Sequence, residues 1–129
     1  MEKEKLRSEI SEEFKWSIDK IFSDINSVEN AIKETENICD EIVKYKGKIM
    51  STGQNLYNLY ELLNNYSRKI LNLYVYAHML CDSDTKNTEN QALKMKIDAL
   101  YEKLSEKISF ISPEMLDKKY EDVLKLIEE

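Results

Sequence analysis

An all-α fold is expected for this chain, a bundle of about four to five mostly antiparallel helices following an N-terminal arm, and three observations predict it. The 129 residues hold two Gly and one Pro, which leaves little material for hairpins or long loops. Lys, Glu and Leu are abundant, and all three are strong helix formers. Apolar residues recur every three or four positions over long stretches, the period of one helix face. The length suits a single domain, residues 1–129, able to bury roughly two thirds of the surface its unfolded form exposes.

The arm occupies residues 1–22, with Phe14, Trp16, Ile18, Ile21 and Phe22 as apolar anchors. Trp16, the single Trp, reads as a packing anchor whose indole N–H reaches a carbonyl. The bundle, residues 23–129, begins where Ser23 or Asp24 caps a helix running to about Tyr45, with Ile25, Val28, Ile32, Ile38 or Cys39, Ile42 and Tyr45 inward. Gly47 suits the left-handed position after that helix. Ser51-Thr52-Gly53-Gln54 reads as a capping box for a second helix carrying Leu56, Leu59, Tyr60 and Leu63.

Asn64-Asn65-Tyr66-Ser67 reads as a break or tight corner, with a continuous helix to Leu80 as the alternative. From Ile70 to Cys81 the chain is apolar on nearly every side, the mark of a helix buried all round. A domain of this size cannot cover every side, so one face is expected to meet a further part of the polypeptide. After an acidic turn a helix starts near Thr88, where Thr88 and Gln91 form a capping box or Asn87 caps instead, and Leu93, Ile97, Leu100, Leu104, Ile108 and Ile111 follow. Ser112-Pro113-Glu114 ends it and opens a fifth helix with Pro113 in first position, holding Met115 or Leu116, Tyr120, Val123, Leu124 and Ile127. The final Glu128-Glu129 places two acids at a helix's negative end, which leads to the expectation of a fragment cut at its C-terminus, whereas Met1 sits where a natural start would.

A formal charge of -6 with scattered basic residues argues against nucleic acid, whose binding needs Lys and Arg against phosphates. The apolar run from Leu73 to Cys81 falls well short of the roughly 20 residues that span a bilayer, so no membrane partner is expected. Met1 to Glu12 alternates acid and base with no signal-peptide core, pointing to the cytoplasm. Cys39 and Cys81 read as free thiols.

His78 and Cys81, three apart on one helix with Asp82 and Asp84 beyond, offer four potential metal ligands within seven residues. No second His exists to complete a zinc site, so they read as a helix-end histidine and a buried thiol, with no metal, cofactor or catalytic residue assigned. Asp82-Ser83-Asp84 opens like a calcium loop but has Asn87 where Gly is needed and Leu93 where a bidentate Glu is needed. Asp82, Asp84 and Thr85 are better read as holding the turn through backbone hydrogen bonds. Tyr74 and Tyr76 lie on opposite sides of their helix, and with Tyr57 and Tyr60 they read as packing between helices with hydroxyls at the rim.

Four fragments, in order, carry a resemblance. Ile10-Ser11-Glu12-Glu13-Phe14-Lys15-Trp16-Ser17-Ile18 is similar to Ile-Pro-Glu-Glu-Tyr-Lys-Trp-Asp-Leu, and Tyr45-Lys46-Gly47-Lys48-Ile49 to Tyr-x-Gly-Lys-Leu. Tyr74 to Ala92 follows Tyr-x-Tyr-Ala…Asp-x-Asp-Thr…Asn…Gln-Ala, and Phe110-Ile111-Ser112-Pro113-Glu114-Met115 shares a Pro-Glu. Together they resemble the N-terminal domain of oligoendopeptidase F, in the thimet-oligopeptidase-like zinc metallopeptidases. Ser11, Ser17 and Thr88 depart from the family's Pro, Asp and Pro.

The resemblance implies a bacterial, cytoplasmic parent that hydrolyses internal bonds of oligopeptides with zinc held by His-Glu-x-x-His. That motif cannot be written in this chain, so the chain alone is expected not to be an enzyme and to hold no zinc. It implies instead a noncatalytic lobe lining part of a substrate channel, partnered by the parent's C-terminal catalytic domain and by oligopeptide. Trp16, Tyr74, Tyr76, Asp82, Asp84, Thr85 and Asn87 are the structural or channel-wall positions. The alternative is a stand-alone interaction module, a homodimer through the apolar face around Leu73 to Leu80.

Overall fold

The computed structural model describes residues 4–128; Met1, read as a natural start, and Glu129, read as part of an acidic cut end, lie outside the described residues. Every regular element among them is helical. Three short 3-10 turns, Arg7–Glu9, Glu12–Phe14 and Ile18–Lys20, form the arm. They lead into α1 (Ile25–Val43), α2 (Gly53–Ser83) and α3 (Thr88–Ile108), followed by the short α4 (Ile111–Leu116) and α5 (Tyr120–Glu128).

The core is built by α1, α2 and α3, which run up, down and up. From α1 it takes Val28, Ile32, Cys39 and Ile42, from α2 Leu59, Tyr66, Ile70, Leu73 and Ala77, and from α3 Ile97, Leu100 and Leu104. Full burial of a Leu or Ile side chain contributes about 1.5–3 kcal/mol. Thr35 fills the gap in the α1 stripe that apolar periodicity leaves open, completely buried, with its hydroxyl donating to the Ala31 carbonyl 2.6 Å away. Ile25, expected inward, is exposed because it lies at the first helical position, outside the stripe begun by Val28.

Lys96, Lys103 and Lys107 on α3 donate to Glu29, Glu36 and Asp40 on α1, each pair separated by 67 residues. A constant offset requires the two helices to be parallel and in fixed register.

The caps follow the expected chemistry with shifts. Asp24 caps α1, accepting from the Ser27 N–H at 2.7 Å. Thr52, one residue later than expected, caps α2 by accepting from Asn55 N–H, while Ser51 bonds Lys48 O and Gln54 bonds Asn58 instead of reaching back. Asn87 caps α3, accepting from Glu89 and Asn90. Gly47 has φ 81°, the left-handed conformation that glycine adopts freely.

Three expectations are corrected. There is no break at Asn64–Ser67: α2 runs through, because Tyr66 continues its inward stripe. The third expected helix is therefore the second half of α2, and it turns Leu73 and Ala77 inward while Leu71 and Tyr74 face outward. Beyond α3 the chain forms two short helices instead of one. Pro113 is the third residue of α4, and α5 packs Val123 and Leu126 against the core while Tyr120, Leu124 and Ile127 face outward.

Candidate functional site

The four fragments that carry the resemblance meet in pairs at opposite ends of the bundle. At one end Gly47 and Ile49, in the α1–α2 connection, donate their backbone N–H groups to the two carboxylate oxygens of Glu114, at 2.8 and 3.0 Å. Lys46 Nζ lies 5.8 Å from the centre of the Phe110 ring, a weak cation–π contact. The left-handed turn at Gly47 aims two N–H groups the same way, and the Pro113-Glu114 pair puts an acceptor against both.

At the other end the arm meets the close of α2. Ile18 is buried, Phe22 packs edge-on against Tyr76 with ring centres 5.2 Å apart, and Trp16 and Phe14 share a shallow cleft with Met79, Asp82 and Ser83. Trp16 is 73% exposed and Phe14 75%, so neither is the packing anchor expected. The arm lies on the bundle through Ile18, Ile21 and Phe22, and its 3-10 turns point the two larger rings outward. Trp16 is held by its backbone, whose carbonyl accepts from Arg7.

The acidic turn closes on itself. Asp84 ends α2 and accepts from the Lys86 N–H, the Thr85 carbonyl accepts from the Gln91 side chain, and the Leu80 carbonyl accepts from both the Ser83 hydroxyl and the Asn90 side chain. Asp84, Thr85 and Asn87 are thus turn residues, while Asp82 stands exposed beside the arm. Neither Asn90 nor Gln91 was expected in these roles; Asn next to a helix start is a sufficient signal for one of them.

Tyr74 and Tyr76 diverge across α2 as their spacing requires. Burial pushes the Tyr76 phenol pKa up, with the Asp24 charge adding to it. Tyr74 stacks on His78 at 3.9 Å and lies 6.0 Å from Tyr101. His78 Nε2 pairs with Asp98 Oδ1 at 2.9 Å, and Lys94 donates to the other oxygen at the same distance. Those two hydrogen bonds, His78 first, hold the Asp98 carboxyl below the usual carboxylate range.

With His78 engaged by Asp98, no group of three His, Cys, Asp or Glu side chains gathers as a metal site among the described residues. The donors present do not fit zinc. Cys39 is buried and Cys81 half-buried, both free, and burial pushes the Cys39 thiol pKa up.

Two of the open grooves along the bundle are bordered by tyrosines of α2. One, about 680 Å3, lies where Tyr57 and Tyr60 of α2 face Met115, Val123 and Ile127. The other, about 520 Å3, runs between α2 and α3 past Tyr66, Tyr74 and Tyr101. Tyr57 and Tyr60 are exposed and not packed between helices as expected, because α5 is too short to cover them. No helix among the described residues is long and apolar enough to cross a membrane.

Comparison with known proteins gives one consistent result. The chain is 33% identical over 110 residues to the group B oligopeptidase PepB of Streptococcus agalactiae serotype III (strain NEM316), covering 85% of this chain and 18% of the relative. It is 29% identical over 110 residues to the oligopeptidase PepF of Bacillus subtilis (strain 168), covering 85% and 16%. Against the chromosomal oligoendopeptidase F of Lactococcus lactis subsp. cremoris it is 30% identical over 113 residues, covering 87% and 19%. The chain spans less than a fifth of the length of these relatives. No protein-family model matches it, and no solved structure matches it significantly.

Proposed function

We propose, on the premise that this chain is a homologue of one segment of the oligoendopeptidase F group, that it serves as a noncatalytic helical domain of such a zinc peptidase and forms part of the wall confining oligopeptide substrates. The observation that carries the reading is the combination of similarity over 85% of the chain with a sequence holding one histidine and no His-Glu-x-x-His. The chain would supply shape, and a partner catalytic domain would supply zinc, nucleophilic water and the general base. The outward stripe Tyr120, Leu124 and Ile127 on α5 supports a docking face for that partner.

A chimaera tests this. Replacing the corresponding segment of the Streptococcus agalactiae oligopeptidase with this chain should preserve hydrolysis of a quenched peptide, sensitive to chelator, while the isolated chain hydrolyses nothing. A soluble, folded but inactive chimaera, or chelator-sensitive hydrolysis by the isolated chain, would overturn the reading.

A further inference from the structure

The arm displays apolar side chains that the bundle does not use, on a backbone that is held in place. Leu6 and Ile10 are exposed along with Phe14 and Trp16. Yet the Leu6 N–H donates to the Glu9 carboxylate at 2.7 Å, and the Arg7 side chain donates to the Trp16 carbonyl at 3.3 Å. Phe14 and Trp16 form, with Met79, the apolar side of a cleft of about 340 Å3. Aromatic rings presented together in this way are the side chains that anchor protein interfaces, and a contiguous apolar patch marks a surface meant for contact.

The charges around the rings select the partner. Both neighbouring cations are engaged, Lys15 by Glu12 and Arg7 by the Trp16 carbonyl. The neighbouring acids are not neutralised. Asp82 lines the cleft, stands exposed, and makes no hydrogen bond or ion pair among the described residues. Glu13, exposed beside Phe14, accepts only from the Ser11 hydroxyl. A second copy of the chain would bring the same acids together, and an anionic bilayer or a nucleic acid would set phosphates against them. An apolar segment flanked by Arg or Lys satisfies the rings and the acids at once, and a guanidinium stacks favourably on an indole. We propose that the Phe14–Trp16 face of the arm binds a polypeptide segment of that kind, with an apolar side chain in the cleft against Met79 and a cation paired with Asp82.

Trp16 is the single Trp, so its fluorescence reports from the face itself. The test uses the full chain and the capped peptide Ala-Arg-Leu-Leu-Arg-Leu-Ala, which has no aromatic residue, beside a control peptide with Glu at both Arg positions. The free chain should emit as a solvated indole and be quenched by acrylamide. The Arg peptide should move the emission to shorter wavelength and protect it from the quencher, and the Glu peptide should do neither. Phe14→Ala should weaken binding at least tenfold with the melting temperature unchanged, since its ring is exposed. Asp82→Asn should weaken it about threefold, the worth of one exposed ion pair, and reduce its salt dependence. Tyr60→Ala and Tyr101→Ala, in the other grooves, should leave it unchanged.

Short-wavelength, quencher-resistant emission from the free chain would overturn the proposal, because the fold itself would then cover the indole. So would an emission shift that grows with chain concentration in the absence of peptide, which makes a second copy the occupant, or a shift given by phosphatidylglycerol vesicles and not by the Arg peptide. No shift at millimolar peptide, or equal shifts with the Arg and Glu peptides, would sink it as well. Affinity indifferent to both Phe14→Ala and Asp82→Asn would place the peptide elsewhere on the chain.

Discussion

Glu114 and Gly47 show how two single residues far apart in sequence define one junction. Addition of a Cβ at Gly47 meets nothing within 4 Å, so any cost of substitution there is conformational and not steric. Gly47→Ala should therefore destabilise by about 1–2 kcal/mol from the left-handed conformation alone, and Gly47→Asn by clearly less, since Asn tolerates that region; urea unfolding of both variants checks the order. Asp98 makes a second residue-scale prediction. Its folded pKa is lowered, so its contribution to stability is present above the unfolded value of about 3.9 and is lost as pH falls through the folded one. Asp98→Asn should flatten the fall in stability below about pH 4, by a modest amount because its side chain is 35% exposed and solvent screens the pair. The sequence singled out His78 but not its partner, because nothing local distinguishes Asp98 from the other acids alternating with Lys on helix faces.

At the scale of elements, the caps and the inward stripes of α1 and α3 were legible because local chemistry and apolar period agree there. They disagree in α2. Asn64, Asn65 and Ser67 are weak helix formers, yet Leu59, Leu63, Tyr66, Ile70, Leu73 and Ala77 keep a three-to-four spacing straight through them, and burial of that stripe outweighs the propensity of three surface positions. Since Asn65 is exposed and helical, Asn65→Ala should stabilise the chain by about 0.5 kcal/mol. A true corner at that site would make the same change neutral or harmful, and thermal melts distinguish the two. The orientation of α5 was not legible for the opposite reason. Tyr120, Val123, Leu124, Leu126 and Ile127 give it apolar residues on both sides, so period alone cannot say which side faces in.

For the molecule as a whole, the three long helices share almost all of the core, whereas α4 and α5 bury no residue completely and are tied down by the Glu114 junction and a few side chains. Stability should be graded accordingly. Trypsin under native conditions should cut first at Lys118 or Lys119, exposed between α4 and α5, and the product retaining α1, α2 and α3 should persist as a helical species by circular dichroism. Early cleavage at Lys96 or Lys103 instead would show that the three-helix body opens before its C-terminal attachment does. The resemblance to a family was readable in four short fragments; that they are two physical junctions was not, because pairing across about seventy residues leaves no periodic trace.

The parallel setting of α1 and α3 has an electrical consequence. Two helices point one way and one the other, so their backbone dipoles do not cancel, and the end of the bundle where α1 and α3 begin carries the surplus of positive potential. Asp24, Asp82, Asp84 and Glu89 stand at that end beside Lys86, whereas at the opposite end Lys44, Lys46, Lys48 and Lys107 are matched by Asp40, Glu41, Glu106 and Glu114. The excess of acids where α1 and α3 begin thus opposes the backbone field at that end, in a body whose net charge is -6.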